Sequence, residues 1–132
     1  ASVCRMSTAA HDFRRAVESG DLPAALALLH PQVEFRSPAV HAPYVGAEPV
    51  GRLLGHVTEV FEDFRYMDEL TGDGTHGLVF RARVGSRDVE GWDYLTTDSD
   101  GLITTFVVMV RPLSGLIALA EAMGARLAAD GG

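Results

Sequence analysis

The amino-acid sequence predicts one α+β domain built around an antiparallel sheet. Three observations lead there. Apolar residues recur at helical spacing up to Phe61 and again after Ser114. Between these stretches the pattern switches to alternation with a period of two. The alternating stretch is punctuated by two hairpin signals, Gly85-Ser86 and Asp98-Ser99-Asp100-Gly101.

Taken in order, Ser7 and Thr8 are candidate caps for a helix from about Ala9 to Ser19, with Phe13, Ala16 and Val17 on one face and Gly20 at its end. Asp21 caps a short second helix with Pro23 in its first turn, and Pro31 is expected to end it. Val33 to Ser37 alternates as a strand, and the prolines and glycine of residues 38–46 mark a loop. A third helix from about Ala47 to Phe61 places Val50, Leu53, Leu54 and Val57 on one side. Four strands follow, at 64–71, 76–84, 87–97 and 102–111, and a last helix spans about Ser114 to Leu127.

The 132 residues suit a single domain over 1–132, with residues 1–7 read as a frayed leader. Apolar residues make up 47% of the chain, enough for one core without disulfides, and no apolar run approaches the ~20 residues of a membrane span. Cys4 is the single cysteine, which excludes a disulfide framework and a cysteine-based metal cluster. The formal net charge is −7, there is no lysine, and the arginines are scattered, so neither nucleic acid nor membrane is an expected partner. No signal peptide is visible, and a cytoplasmic location is the default expectation. No cofactor and no metal are expected: Asp98, Asp100 and Gly101 lack the remaining ligands of a calcium loop, and Gly72, Gly74 and Gly77 form no phosphate motif.

The register of the sheet follows from its turns. A two-residue turn at Gly85-Ser86 pairs Val84 with Arg87, so Arg83 faces Asp88 and Arg81 faces Glu90, two favourable charge pairs. The same register sets Leu78 opposite Asp93 on the other face. Pairing Thr97 with Leu102 across the next hairpin would set Asp93 opposite Phe106, Gly91 opposite Val108 and Val89 opposite Val110. Asp93 then lies among Leu78, Phe80, Ala82, Val89, Leu95, Phe106 and Val108 on the face that helices must cover. Burial of an unpaired carboxylate is unfavourable, so Asp93 is expected to have a raised pKa and is the leading candidate for acid–base chemistry. The alternative is a structural aspartate bonded to Ser37, Tyr44 or a buried water. The opposite face gathers Val79, Trp92, Tyr94, Val107 and Met109, which suggests a homodimer through Trp92, Tyr94, Val107 and Met109.

The helix order, the bent sheet and the stretch GWDYLTTDSDGLITTFVVMVRP (91–112) together resemble the nuclear transport factor 2-like superfamily. It includes ketosteroid isomerases, limonene epoxide hydrolase and SnoaL-like polyketide cyclases. The resemblance implies a cone-shaped α+β barrel, with N-terminal helices on the concave face of a curved, mixed but mainly antiparallel sheet and a C-terminal helix. It also implies a conical pocket for a small, mostly apolar ligand. By that resemblance, Asp93 matches the isomerases' protonated aspartate, eight residues before the glycine of the last hairpin. The isomerases' oxyanion tyrosine falls on Phe13, and their catalytic base falls on Ser37, before Pro38. Steroid isomerisation by the usual mechanism is therefore not expected. Gly91 stands where the epoxide hydrolase has an arginine, and Arg111 stands near the cyclases' acidic residue.

The expected pocket walls are Phe13, Phe35, Leu53, Leu54, Phe80, Phe106 and Val108, with Ser37 and Tyr44 as polar groups able to orient a ligand. His41, in the loop near the pocket mouth, is a candidate base, though an exposed loop histidine is the plainer reading. His11, His30, His56 and His76 show no ligand spacing. The reading is a pocket that binds a small apolar molecule, with isomerisation, cyclisation or hydration at Asp93 as the possible chemistry. The alternative is a non-catalytic binding module with Asp93 as its anchor.

Overall fold

The computed structural model describes residues 9–131, so Cys4, the caps Ser7 and Thr8 and the leader lie outside the described residues. Helix α1 (Ala9–Glu18) and the short α2 (Leu22–Leu26) precede strand β1 (Leu29–Arg36) and a two-residue strand β2 (Tyr44–Val45). Helix α3 (Ala47–Val60) leads into β3 (Glu62–Thr71), β4 (Thr75–Val84), β5 (Arg87–Thr97) and β6 (Ile103–Arg111), and α4 (Leu113–Gly131) closes the chain. The six strands form one curved sheet in the order β2-β1-β6-β5-β4-β3. Only the β1–β6 pair is parallel, so the sheet is mixed and mainly antiparallel, as expected.

Local chemistry explains the ends. Gly20, with φ 77°, stops α1, and the Asp21 side chain accepts a hydrogen bond from the Ala24 amide at 3.2 Å to start α2. Pro31 does not end α2, which stops at Leu26. It lies inside β1, where the ladder with β6 slips between Leu29 and Glu34 and no amide is required of it. The 38–46 loop contains β2, which pairs with Glu34 and Phe35.

The β4–β5 register agrees with the expected one from Val84–Arg87 to Leu78–Asp93. Gly85 has φ 60° and Ser86 does not enter the left-handed region, as a glycine-first hairpin turn requires. Arg81 reaches Glu90 at 3.3 Å, but Arg83 reaches Glu62 of β3 at 3.0 Å rather than Asp88. A strand on each side of β4 gives its arginines a choice of partner.

The β5–β6 register departs from expectation by two residues: Asp93 faces Val108, Gly91 faces Val110 and Leu95 faces Phe106. The Asp98 carboxylate accepts from the amides of Asp100 and Leu102, which draws Leu102 into the turn and lets Thr97 pair with Ile103. An irregularity between Thr96 and Thr97 adds a second one-residue shift. Two single shifts restore parity, so each residue keeps its expected face.

The concave face and the inner sides of α1, α3 and α4 form the core. Its main cluster includes Phe13, Val33, Phe35, Val50, Leu78, Phe80, Leu95 and Phe106. A second cluster, Val60, Ala82, Val84, Val89 and Leu119, seats α4 on the far end of the sheet. Gly91 permits this packing: a Cβ there would lie 2.1 Å from the Phe80 ring.

Candidate functional site

A cavity of about 520 Å³ lies between the concave face and the helices. β1 and the loop after it contribute Phe35, Ser37, Pro38 and Val40; α3 contributes Leu53, Leu54 and Val57. β4, β5 and β6 contribute Phe80, Asp93, Phe106 and Val108, while Phe13 comes from α1 and Tyr44 from β2. The anticipated wall residues, with Asp93, Ser37 and Tyr44, line one cavity. His41 does not: it is exposed. Helix α4 adds Leu119, Met123 and Leu127, a wall that strand register alone does not reveal.

Asp93 is buried, with 6% of its surface exposed. Among the described residues its hydrogen-bond partner is Tyr66, whose hydroxyl donates to Oδ2 at 3.3 Å. The partners expected for a structural aspartate do not engage it: the Ser37 Oγ instead accepts from the Ala39 amide at 3.0 Å, and Tyr44 packs edge-on against Phe35. Burial pushes the Asp93 carboxyl up to about 7, and the Tyr66 hydroxyl draws it partly back. Tyr66 itself is pushed well above the usual tyrosine range by burial and by the Asp93 charge. At neutral pH the pair exchanges between a neutral acid able to donate from Oδ1 and a carboxylate held by a phenol.

Tyr66 is the site residue that sequence reasoning missed. It stands opposite Phe80 in the β3–β4 ladder, and its side chain belongs to an aromatic run, with Phe64 stacked on Phe80 at 5.0 Å and Tyr66 edge-on to Phe64 at 4.9 Å. Extending the register strictly from Thr71–His76 would set Tyr66 opposite Arg81, on the convex side. The β3–β4 ladder resists this because it slips twice, between Glu62 and Arg65 and between Tyr66 and Asp68.

A charged cluster borders this wall. The Arg14 guanidinium lies 5.9 Å from the centre of the Tyr66 ring and bridges Glu18 at 3.1 Å and Glu69 at 3.4 Å. His11 also reaches Glu69, at 3.2 Å. His76 is buried on the same sheet face but does not line the cavity. Its Nε2 is 3.3 Å from the Thr97 hydroxyl, its Nδ1 has no partner among the described residues, and burial lowers its pKa. No group of three His, Cys, Asp or Glu side chains among the described residues is arranged to hold a metal ion. No described helix is long and apolar enough to cross a membrane.

The model of the SnoaL-like domain matches residues 10–106. The chain belongs to this family. Solved structures agree over most of the chain. A steroid delta-isomerase from Pseudomonas aeruginosa is 45% identical, with a TM-score of 0.87 and 97% of each chain covered. An uncharacterized bacterial protein with a cystatin-like fold from Silicibacter pomeroyi is 35% identical, with a TM-score of 0.88 over 93% of this chain and 87% of that one. A nuclear transport factor 2-like protein of unknown function from Cytophaga hutchinsonii shares the fold at 16% identity and a TM-score of 0.66, covering 86% of this chain and 97% of that one. Among curated proteins none matches. The superfamily read from the sequence is therefore the right one.

Proposed function

We propose that this SnoaL-like domain binds a small, mostly apolar molecule carrying a carbonyl or epoxide oxygen, and that Asp93 in its neutral form donates a hydrogen bond to that oxygen. The observation that carries the reading is the placement of a buried carboxyl, with a pKa of about 7, inside an aromatic and aliphatic cavity. A neutral acid among apolar walls donates strongly once the ligand displaces water, because the oxygen gaining charge then meets a fixed donor. Tyr66 donates to Oδ2, which leaves Oδ1 for the ligand.

Isomerase-type proton transfer is the chemistry that fits this donor, and the 45% identity to a protein described as a steroid delta-isomerase supports it. Enolisation also needs a base. Ser37 stands where the resemblance to ketosteroid isomerases places theirs, and a serine hydroxyl is no base without an activating partner. That substitution favours a second reading, a binding module with no enzymatic activity.

The test is the binding of 2-acetylnaphthalene, a planar aromatic ketone small enough for the cavity. Its affinity is expected to fall as the pH rises through about 7, because the Asp93 carboxylate cannot donate. Asp93→Asn should bind the ketone without that inflection. Absence of binding, or the same inflection in the variant, overturns the reading. Conversion of a β,γ-unsaturated ketone to its conjugated isomer, lost in Asp93→Asn, separates enzyme from binder.

We also propose that two copies pair through the convex face. Trp92, Tyr94, Val107 and Met109 share that side of β5 and β6, and Tyr94 and Met109 are exposed there. A second copy covering this patch suits the exposed apolar area. Sedimentation at micromolar concentration should give a dimer, and Trp92→Glu should give a monomer.

A further inference from the structure

The cavity has a second carboxylate that the proposed role of Asp93 does not use. Glu18 lines it, and 43% of its side chain remains exposed. Glu18 is the last residue of α1, where a negative charge opposes the helix dipole. A side chain placed against its local electrostatics points to a role outside the helix. Arg14, one turn earlier, offsets the conflict and binds Oε2 at 3.1 Å. This contact fixes the carboxylate and leaves Oε1 without a hydrogen bond among the described residues. Arg14 does not line the cavity, and none of the described lining residues is an arginine or a histidine. The described lining thus carries two acidic groups and no cation, with Arg14 behind Glu18. Tyr66 bonds Asp93, and the charge of Glu18 opposes its ionisation while that of Arg14 favours it.

We infer that Glu18 is a specificity-determining group of the cavity: it accepts from a second polar group of the ligand, a hydroxyl or an ammonium, and excludes ligands that carry a carboxylate or phosphate. The inference rests on the cavity being a ligand site and specifies its substrate class, namely neutral or cationic two-ended molecules such as hydroxy ketones and amino ketones. An anion placed against the open Oε1 of Glu18 would lose water and meet like charge, with Arg14 already engaged on the other oxygen. The Arg14–Glu18 pair has a definite use in this arrangement. The arginine holds the carboxylate in place while standing outside the cavity lining.

The test keeps the ketone constant and varies the group across the ring. Binding of 2-acetylnaphthalene is compared with that of its 6-hydroxy, 6-aminomethyl and 6-carboxylate derivatives at pH 6, where Asp93 is neutral. The hydroxy and aminomethyl compounds should bind at least as tightly as the parent, and the carboxylate at least tenfold more weakly. In Glu18→Gln the ratio of aminomethyl to carboxylate affinity, each normalised to the parent ketone in that variant, should fall at least tenfold. The fall should persist in the Arg14→Gln, Glu18→Gln double variant, which removes any attraction of the anion to a released Arg14. Equal affinities in the unaltered protein, or a ratio that Glu18→Gln does not move, overturn the inference while leaving the cavity a ligand site. If the parent ketone itself does not bind, both fall together.

Discussion

Glu90 and Asp93 are carboxylates on the same strand, three positions apart, and they face opposite sides of one sheet. Glu90 lies on the convex side between two arginines, Arg81 at 3.3 Å and Arg111 at 3.2 Å. Asp93 lies on the concave side with one neutral donor and mostly apolar walls. Among the described residues no sheet arginine pairs with Asp93, because the alternation that turns Asp93 inward turns Arg81, Arg83 and Arg111 outward. The two faces thus do different physical work with the same group. One places a charge in water beside opposite charges, and the other withholds both water and charge so that the acid keeps its proton.

The largest effect should come from breaking the concave side of this comparison. The folded protein holds the Asp93 proton up to a pH of about 7, against 3.8 for the free group. Between these values the folded state binds the more protons, so stability falls as the pH rises through that window and is level above it. The full swing is on the order of 4 kcal/mol. Asp93→Asn keeps the shape and removes the ionisation. Denaturant unfolding from pH 4 to 9 should show the variant gaining on the unaltered protein across the window, with the largest advantage above pH 7. A constant difference at every pH would mean that Asp93 is not titrating there.

The next largest effect compares two glycines under two aromatic rings. A Cβ on Gly91 would meet Phe80 at 2.1 Å on the concave side, and one on Gly77 would meet Trp92 at 2.4 Å on the convex side. Phe80 is buried and held between Phe61 and Phe64, so moving it breaks packed aromatic contacts. Trp92 is half-buried on an open face and can swing outward. Gly91→Ala should therefore cost about 3 kcal/mol and Gly77→Ala about 1 kcal/mol. Equal losses would mean that the convex face is as closely covered as the concave one.

Much of this was legible in the residues. Gly85-Ser86 and the charge matches across it placed β4 against β5 residue for residue, because a two-residue turn leaves no freedom of register. The β5–β6 pairing was misread by two because Asp98 folds Leu102 into its turn through side-chain hydrogen bonds that periodicity does not report. The face of each residue survived, since parity depends only on the evenness of the slip, and so Phe80, Asp93, Phe106 and Val108 share the concave side. Tyr66 was missed, because β3 slips twice along β4 and loses strict alternation, with Asp63 at φ 55° beside the first slip. Charge pairing was the least legible feature: Arg83 had two acidic strands beside it, and geometry rather than order along the chain selected Glu62.

Tyr66→Phe sharpens the concave half. The hydroxyl is the one influence that draws the Asp93 carboxyl down, so its loss should raise the Asp93 midpoint above 7 in a carbon-detected NMR titration. The accompanying loss of stability should be about 1 kcal/mol at pH 5, where the hydrogen bond joins two neutral groups, and larger at pH 8, where it joins a phenol to a carboxylate. A midpoint that moves down would show that another donor takes the place of Tyr66.

The smallest effect belongs to Glu90, and it tests whether the convex face stays open. Glu90→Gln removes both ion pairs, to Arg81 and Arg111, whose side chains are more than half exposed. Water and salt screen such pairs, so the loss in a monomer should be about 0.5 kcal/mol and should vanish in molar salt. Glu90 also borders the shallow groove formed by Val79, Trp92, Met109 and Arg111, at the edge of the patch proposed for pairing. If a second copy covers that patch, the ion pairs lose water, and deleting one partner then leaves buried guanidinium charge behind. The cost of Glu90→Gln should then rise with protein concentration, from about 0.5 kcal/mol when the protein is dilute to 2 kcal/mol or about that in the dimer. Urea unfolding at nanomolar and at ten-micromolar concentration separates the cases. A cost that is small and constant across that range means the convex face remains in water, and the contrast between Glu90 and Asp93 is then as wide in solution as it is in the isolated chain.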